Sequence, residues 1–264
     1  MNRTPITVNP EEYPIEYRSL LRGEVYDSSC SRAARVLFFD VEGGLFIKRS
    51  AAGTLAREAA KTRYFHKLGL SVPVIDYRTV GDYDYLVTVR AQGEDCTHPD
   101  HLSQPERLCD LLATTLRALH ETAAADCPVP DHTALYLQTA KENAAAGMFD
   151  PSYLLNDTLR RAVKSADDAY AIVEREGKRL THDTLLHGDY CLPNVMLHDW
   201  RVSALIDLDH AGLGDRHVDL YWGAWTLRYN LGHDGLRERF FDAYGRDLID
   251  QAKIELVSIV ETLG

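Results

Sequence analysis

Residues Leu185–Leu220 read LLHGDYCLPNVMLHDWRVSALIDLDHAGLGDRHVDL, the densest run of acids, histidines and glycines in the chain. Within it, Val195–Leu197 and Val202–Ile206 have strand character on either side of a turn at Asp199-Trp200. Pairing Leu197 with Ala204 in a regular hairpin also brings Asn194 opposite Asp207. An amide oxygen and a carboxylate so placed are hard oxygen donors of the kind Mg²⁺ takes. Asp189, on a His187-Gly188-Asp189 loop just upstream, is near enough to act on whatever the metal holds. Taken singly, Asn194 reads as a turn cap and Asp189 and Asp207 as strand ends; the three at this spacing favour a site.

The first ninety or so residues around that stretch read mostly as strands. Ala34–Asp40 and Leu45–Lys48 flank a turn at Val41-Glu42-Gly43-Gly44, and a helix over about 54–68 is closed by Gly69. Val74–Thr79 and Tyr83–Val89 follow, joined through Gly81-Asp82. In LFIK, Phe46 and Lys48 share one strand face and Leu45 and Ile47 the other. Glu58 lies on the helix stripe of Phe65 and Leu68, which points inward, and a carboxylate there needs a partner such as Lys48. The plainer alternative has Lys48 ending an edge strand and Glu58 as a solvated first-turn acid.

After Arg90–Glu94 nearly everything is helical. Gln104–Glu121 carries Leu108, Leu111, Leu112 and Leu119 at helical spacing, and further helices are expected at about 134–147, 158–176, 216–229, 234–244 and 250–262. Asp215 is placed to cap a helix beginning near Arg216. Trp222 and Trp225 read as core. The expected organisation is a small β-rich N-terminal lobe over residues 1–90 for binding nucleotide, a hinge over 91–94, and a larger helical lobe over 95–264 for catalysis and substrate binding.

The chain has 264 residues, with 29 Lys+Arg against 40 Asp+Glu and a formal net charge of −11. That balance argues against nucleic acid or an anionic membrane surface as the main partner, and would suit a cationic small molecule. The five cysteines are scattered with no CxxC pair, so neither a zinc site nor a disulfide framework is indicated. With no apolar run of membrane-spanning length, the expectation is a cytoplasmic, soluble protein.

HxDxxxxN followed by a strand pair and Ile206-Asp207 resembles the catalytic and metal-binding loops of the aminoglycoside phosphotransferase/choline kinase family. His187-Gly188-Asp189-Tyr190-Cys191-Leu192-Pro193-Asn194 is especially similar to the bacterial aminoglycoside 3′-phosphotransferases. The resemblance implies an α+β, bilobal protein-kinase-like fold with a small β-rich N-lobe and a larger α-helical C-lobe. It implies ATP as phosphoryl donor, Asp189 as the residue that orients the substrate hydroxyl and takes its proton, and Asn194 and Asp207 as Mg²⁺ ligands. Lys48 becomes the phosphate lysine and Glu58 its helix partner, with Phe46 and Ile206 on opposite faces of adenine. Backbone groups of about Arg90 and Ala91 would meet the adenine edge. Ser28-Ser29-Cys30-Ser31 stands where the family has a nucleotide-positioning loop; the serines either donate to phosphate or only form a turn. Asp219 is expected to brace the catalytic loop.

What grips the substrate departs from the aminoglycoside 3′-enzymes. Their acidic patch is thinned here to Asp150, Asp157 and Glu261, and Glu261 reads equally as a substrate contact or a solvated helix acid. Asp209 is closer to the choline and sugar kinase branches. The favoured function is therefore an aminoglycoside 3′-phosphotransferase, with the kinase of another amino-sugar, amino-alcohol or sugar as alternative. A metallohydrolase, or a nucleotide-binding module without turnover, explains fewer of these residues.

Overall fold

The computed structural model describes residues 4–30, 34–41 and 43–264, apart from the Arg22 side chain. Ser31 and Glu42, named above, lie outside the described residues. The chain divides into two compact units, one built from the residues up to Pro99 together with Pro193–Asp209, the other from Asp100–Leu192 and His210–Gly264. This division differs from the sequence-based one, which left 193–209 with the helical lobe.

The first unit holds β1 (Thr4–Ile6), β2 (Val25–Asp27), β3 (Arg35–Phe39), β4 (Leu45–Ala51), α1 (Ala56–Lys67), β5 (Val74–Val80) and β6 (Tyr83–Val89). The strands form one antiparallel sheet in the order β1-β2-β3-β4-β6-β5. Period-2 alternation sorts its two faces. Leu37, Phe39, Ile47, Tyr85 and Val87 pack one side with Tyr13, Tyr17 and Leu21. Phe46 and Lys48 take the other, where Phe38 lies 5.0 Å from Phe46. The first turn of α1 has no side-chain cap of its own; instead the Asp84 carboxylate of β6 accepts from Leu55 N at 2.9 Å. Gly69, at φ +74°, ends the helix in the left-handed conformation.

A second sheet, β7 (Glu94–Asp95), β9 (Val195–His198) and β10 (Arg201–Leu205), runs in the order β10-β9-β7. It explains why 193–209 belongs with this unit: β9 pairs with β7, Leu205 N donates to Leu70 O at 2.8 Å, and Ser71 Oγ donates to Leu205 O at 2.7 Å.

The second unit is helical. It holds α3 (Pro105–His120), α4 (His132–Ala145), α5 (Asp157–Ala162), α6 (Ala166–Glu176), α7 (His217–Leu231), α8 (Arg237–Tyr244) and α9 (Gln251–Val260), with the strand pair β8 (Thr184–Leu186) and β11 (Gly212–Gly214). A one-turn helix, α2 (Pro99–Leu102), precedes α3. The single helix expected over 158–176 is two, because Ser165 caps α6 through Asp168 N and restarts the chain. Ala140, Ala169, Val173, Ile259, Val260 and Leu263 form the core joining α4, α6 and α9.

Candidate functional site

The hairpin that carries Asn194 and Asp207 is tighter than its sequence suggested. Asp199 and Trp200 both adopt positive φ, +49° and +57°, and close a two-residue turn with Arg201 opposite His198. Val202 then faces Leu197 and Ala204 faces Met196, with a bulge at Ser203 between them. Ser203 is drawn out of register because its hydroxyl donates to Gln92 O at 2.7 Å. The expected pairing of Leu197 with Ala204, and of Asn194 with Asp207, is thereby corrected. Asn194 instead accepts from Ile206 N at 3.0 Å, and Asp207 stands one residue beyond the ladder at φ +57°.

That backbone conformation turns Asp207 toward β4. Lys48 Nζ lies 2.8 Å from Glu58 and 3.0 Å from Asp207. Burial works against the Lys48 charge, but the two carboxylates outweigh it and hold its pKa above the ordinary lysine value. Burial pushes the Glu58 carboxyl up, and Lys48 opposes that push. One ammonium between two carboxylates leaves a negative charge over, and half of the Asp207 side chain is exposed at 53%. Lys61, one turn after Glu58 on α1 and buried, donates to the carbonyl of Asp209, pinning the turn that follows Asp207. Sequence reading missed it, because a lysine on a mixed helix face carries no signal of burial.

Other nucleotide-side residues of this unit are placed as follows. Ile206 packs with Ala91, Met196 and Ala204. Arg90 N donates to Gly44 O at 2.9 Å, so a hydrogen bond from that amide to adenine is not on offer. Ser29 closes its own loop: its amide donates to Asp27 at 2.9 Å and its hydroxyl accepts from Val36 N at 2.9 Å. Ser28 is buried, with its amide on Val36 O. These bonds hold Ser28 and Ser29 in the turn that leads into β3.

In the second unit, Asp189 is half-buried on a loop held through its backbone. Asp219, fully buried on the first turn of α7, accepts from His187 N at 2.8 Å and Gly188 N at 2.7 Å. His120 Nε2 sits 3.2 Å from the same carboxylate, and its Nδ1 lies 2.7 Å from Tyr244 Oη. Burial would raise the Asp219 pKa, but hydrogen bonds from His120 and the loop amides more than reverse it. Burial lowers the His120 pKa, against the opposing pull of Asp219. Asp215 accepts from His217 N at 3.0 Å, Thr181 N at 2.8 Å and Lys253 Nζ at 2.7 Å. It thus ties α7 to α9 as well as supporting the start of α7.

Glu261 is neither exposed nor a plain helix acid. It is 8% exposed and accepts from Tyr136 Oη at 2.8 Å and Trp222 Nε1 at 3.0 Å. Asp157 is engaged elsewhere, paired with Arg160 at 3.0 Å on the exposed side of α5. Trp222 and Trp225, read as core, are only half-buried. They belong to an aromatic group with Tyr153 and the exposed Tyr229.

Burial raises the Glu261 carboxyl from 4.5 to about 7, against its two donors and with help from the Asp189 charge. Between those values the folded chain binds a proton that the unfolded chain has lost, so stability falls as pH rises through that window. The loss attributable to this group is on the order of 3 kcal/mol. Glu261→Gln keeps an acceptor for both donors and carries no charge. Chemical denaturation at pH 5 and pH 8 is therefore expected to show the parent losing more stability than the variant; equal losses would remove Glu261 as the cause.

The sequence profile described as the phosphotransferase enzyme family matches residues 33–256. A "probable aminoglycoside 3′-phosphotransferase" of Lactococcus lactis is 43% identical over 264 residues, covering 100% of this chain and 99% of that protein. An "aminoglycoside 3′-phosphotransferase" of Niallia circulans is 30% identical over 187 residues, 70% of each chain. Among solved structures, a Streptomyces rimosus aminoglycoside phosphotransferase in complex with ADP and streptomycin superposes with a TM-score of 0.73 at 20% identity, covering 94% of this chain and 97% of that one. The fold is accordingly the kinase-like α+β fold of those enzymes.

Proposed function

The chain belongs to the phosphotransferase enzyme family, and from that premise we propose that it transfers the terminal phosphoryl group of ATP to the 3′ hydroxyl of an aminoglycoside. The observation that carries the substrate class is end-to-end similarity, at 43% identity, to a protein named for that activity. The chemistry rests on Lys48 held between Glu58 and Asp207, and on Asp189 presented by a braced loop.

Lys48, kept protonated, meets the phosphates of the nucleotide; Glu58 fixes its direction. Phe46 and Ile206 pack on adenine, whose edge meets the Arg90 carbonyl and the Ala91 backbone. Asp189 aligns the acceptor hydroxyl and takes its proton as the new O–P bond forms and the bond from the γ-phosphorus to the departing ADP breaks. The donor set fits Mg²⁺: Asn194 offers an amide oxygen, Asp207 a reachable carboxylate, and the surplus negative charge beside Lys48 favours a cation. Bound there, Mg²⁺ would neutralise phosphate charge during transfer. Among the described residues no group of three or more His, Cys, Asp or Glu is arranged to hold a metal. No helix among them is long and apolar enough to cross a membrane. We place the enzyme in the cytoplasm, where ATP is supplied.

A coupled assay of ATP consumption across aminoglycosides, choline, homoserine and sugars tests the proposal. Aminoglycoside-dependent turnover with a 3′-phosphorylated product is expected. Turnover with another alcohol alone would leave a kinase and overturn the aminoglycoside assignment. In Mg²⁺ titrations of bound ATP, Asp207→Ala should abolish metal-dependent nucleotide binding, and Asn194→Ala should weaken it less, because a carboxylate brings charge and an amide only a dipole. Unchanged Mg²⁺ titrations in both would dismiss the two as ligands.

A further inference from the structure

Helix α7 presents Trp222, Trp225 and Tyr229 along one stripe, at spacings of three and four residues. Trp225 and Tyr229 stack at 4.9 Å and 11°. Trp222 meets Trp225 edge-on at 5.3 Å, and Tyr153 approaches both tryptophans at 5.8 and 5.9 Å. The outermost ring, Tyr229, is 71% exposed. Its neighbours lead inward: Trp222 donates to Glu261 at 3.0 Å, and the charges of both Glu261 and Asp189 act on Tyr153. A ladder of aromatic rings thus starts at the surface and ends in the electrostatic field of the Asp189 loop. The open end of the group is Tyr229, with Tyr153, Trp222 and Trp225 half-buried behind it.

We propose that the outer face of Tyr229, backed by the stacked Trp225 and by Tyr153, forms a stacking platform for one saccharide ring of the substrate, and that Glu261 positions Trp222 instead of gripping a substrate ammonium. The proposal rests on the aminoglycoside reading and deepens it. A pyranose ring has a face of C–H groups that suits the negative face of an aromatic ring. An ammonium on that sugar adds a cation–π attraction to the tyrosine face. Asp157 pairs with Arg160 on the exposed side of α5. The Glu261 carboxyl is buried, and Tyr136 and Trp222 both donate to its Oε1. A ring-face contact acts at short range and depends little on ionic strength.

The test uses the full-length chain, with kanamycin as probe and steady-state kinetics at low and high salt. Tyr229→Ala and Trp225→Ala should each raise KM about tenfold while kcat falls less than about threefold, the signature of lost ground-state binding. Trp225→Phe should recover most of the loss. Glu261→Ala should raise KM several-fold and Glu261→Gln, which keeps both hydrogen bonds, should restore it. Tyr229 is exposed enough that its removal does not threaten folding, and thermal melts check the others. If the parent phosphorylates kanamycin but both alanine variants keep its KM, the platform is wrong and the function stands. A Glu261→Gln KM as high as that of Glu261→Ala overturns the positioning role. If the parent turns over another alcohol but no aminoglycoside, the substrate reading falls and takes the platform with it.

Discussion

Asp189→Asn is expected to bind nucleotide within about twofold of the parent and to lose between about 10² and 10⁴ in kcat, the range a positioned general base contributes. The amide keeps the shape of the carboxylate but accepts no proton at neutral pH. The loop should keep its form, because Asp219 holds it at the His187 and Gly188 amides and Cys191 N donates to the Asp189 carbonyl at 2.8 Å. Single-turnover phosphoryl transfer, measured beside nucleotide affinity, separates chemistry from binding. Near-parental turnover would take Asp189 out of the proton-accepting role.

Gly188→Ala should be nearly as damaging, for a purely steric reason. Gly188 has φ +84°, and a Cβ built on it would lie 1.9 Å from the carbonyl oxygen of His210. The obstacle is backbone, so no side-chain rotation relieves it, and any shift stretches the 2.7 Å bond from Gly188 N to Asp219. Left-handed strain, of order 1–3 kcal/mol, adds to the clash. We expect a destabilisation of about 3 kcal/mol or more and a fall in kcat of at least about a hundredfold in whatever folds. Gly147→Ala is the control: Gly147 has φ +75° with nothing near its would-be Cβ, so it isolates the cost of the dihedral alone. Equal melting temperatures for the two variants would show that the close approach to His210 is unimportant.

These two positions also mark what was legible in the sequence. The HGD loop and the inward glutamate were readable because their signals are local: a compact motif, and the shared stripe of Glu58 and Phe65. The hairpin register was not, since Ser203 is pulled out by Gln92, a residue on a distant segment, and nothing in Val202–Ile206 announces a bulge. His120 and Asp219 lie 99 residues apart, beyond any periodic pattern. Glu261 did carry a usable signal. It follows Ile254 and Val257 at helical spacing, both buried, which put its side chain inside; weighing it only as a solvated acid or a substrate contact overlooked that stripe. Trp222 and Trp225 were assigned to the core on residue type, whereas Tyr229 on the same stripe marked the face as open.

The way the first unit is assembled has a consequence for how such genes can recombine. Its polypeptide comes from two separated stretches, the residues up to Pro99 and Pro193–Asp209. An exchange confined to the front of the gene would transplant Lys48 and Glu58 from one relative while keeping the recipient's Asp207, Asn194 and β9–β10 strands. The foreign lysine would face a carboxylate that did not co-evolve with it, and the native Leu70 and Ser71 contacts to Leu205 would become a seam between two ancestries. Crossovers that preserve the cluster must carry both stretches together, and the intervening helical segment is tied in turn to the C-terminal one, because α4 and α6 pack on α9 and Asp219 holds the His187 and Gly188 amides; each unit is inherited as two pieces that travel as a pair.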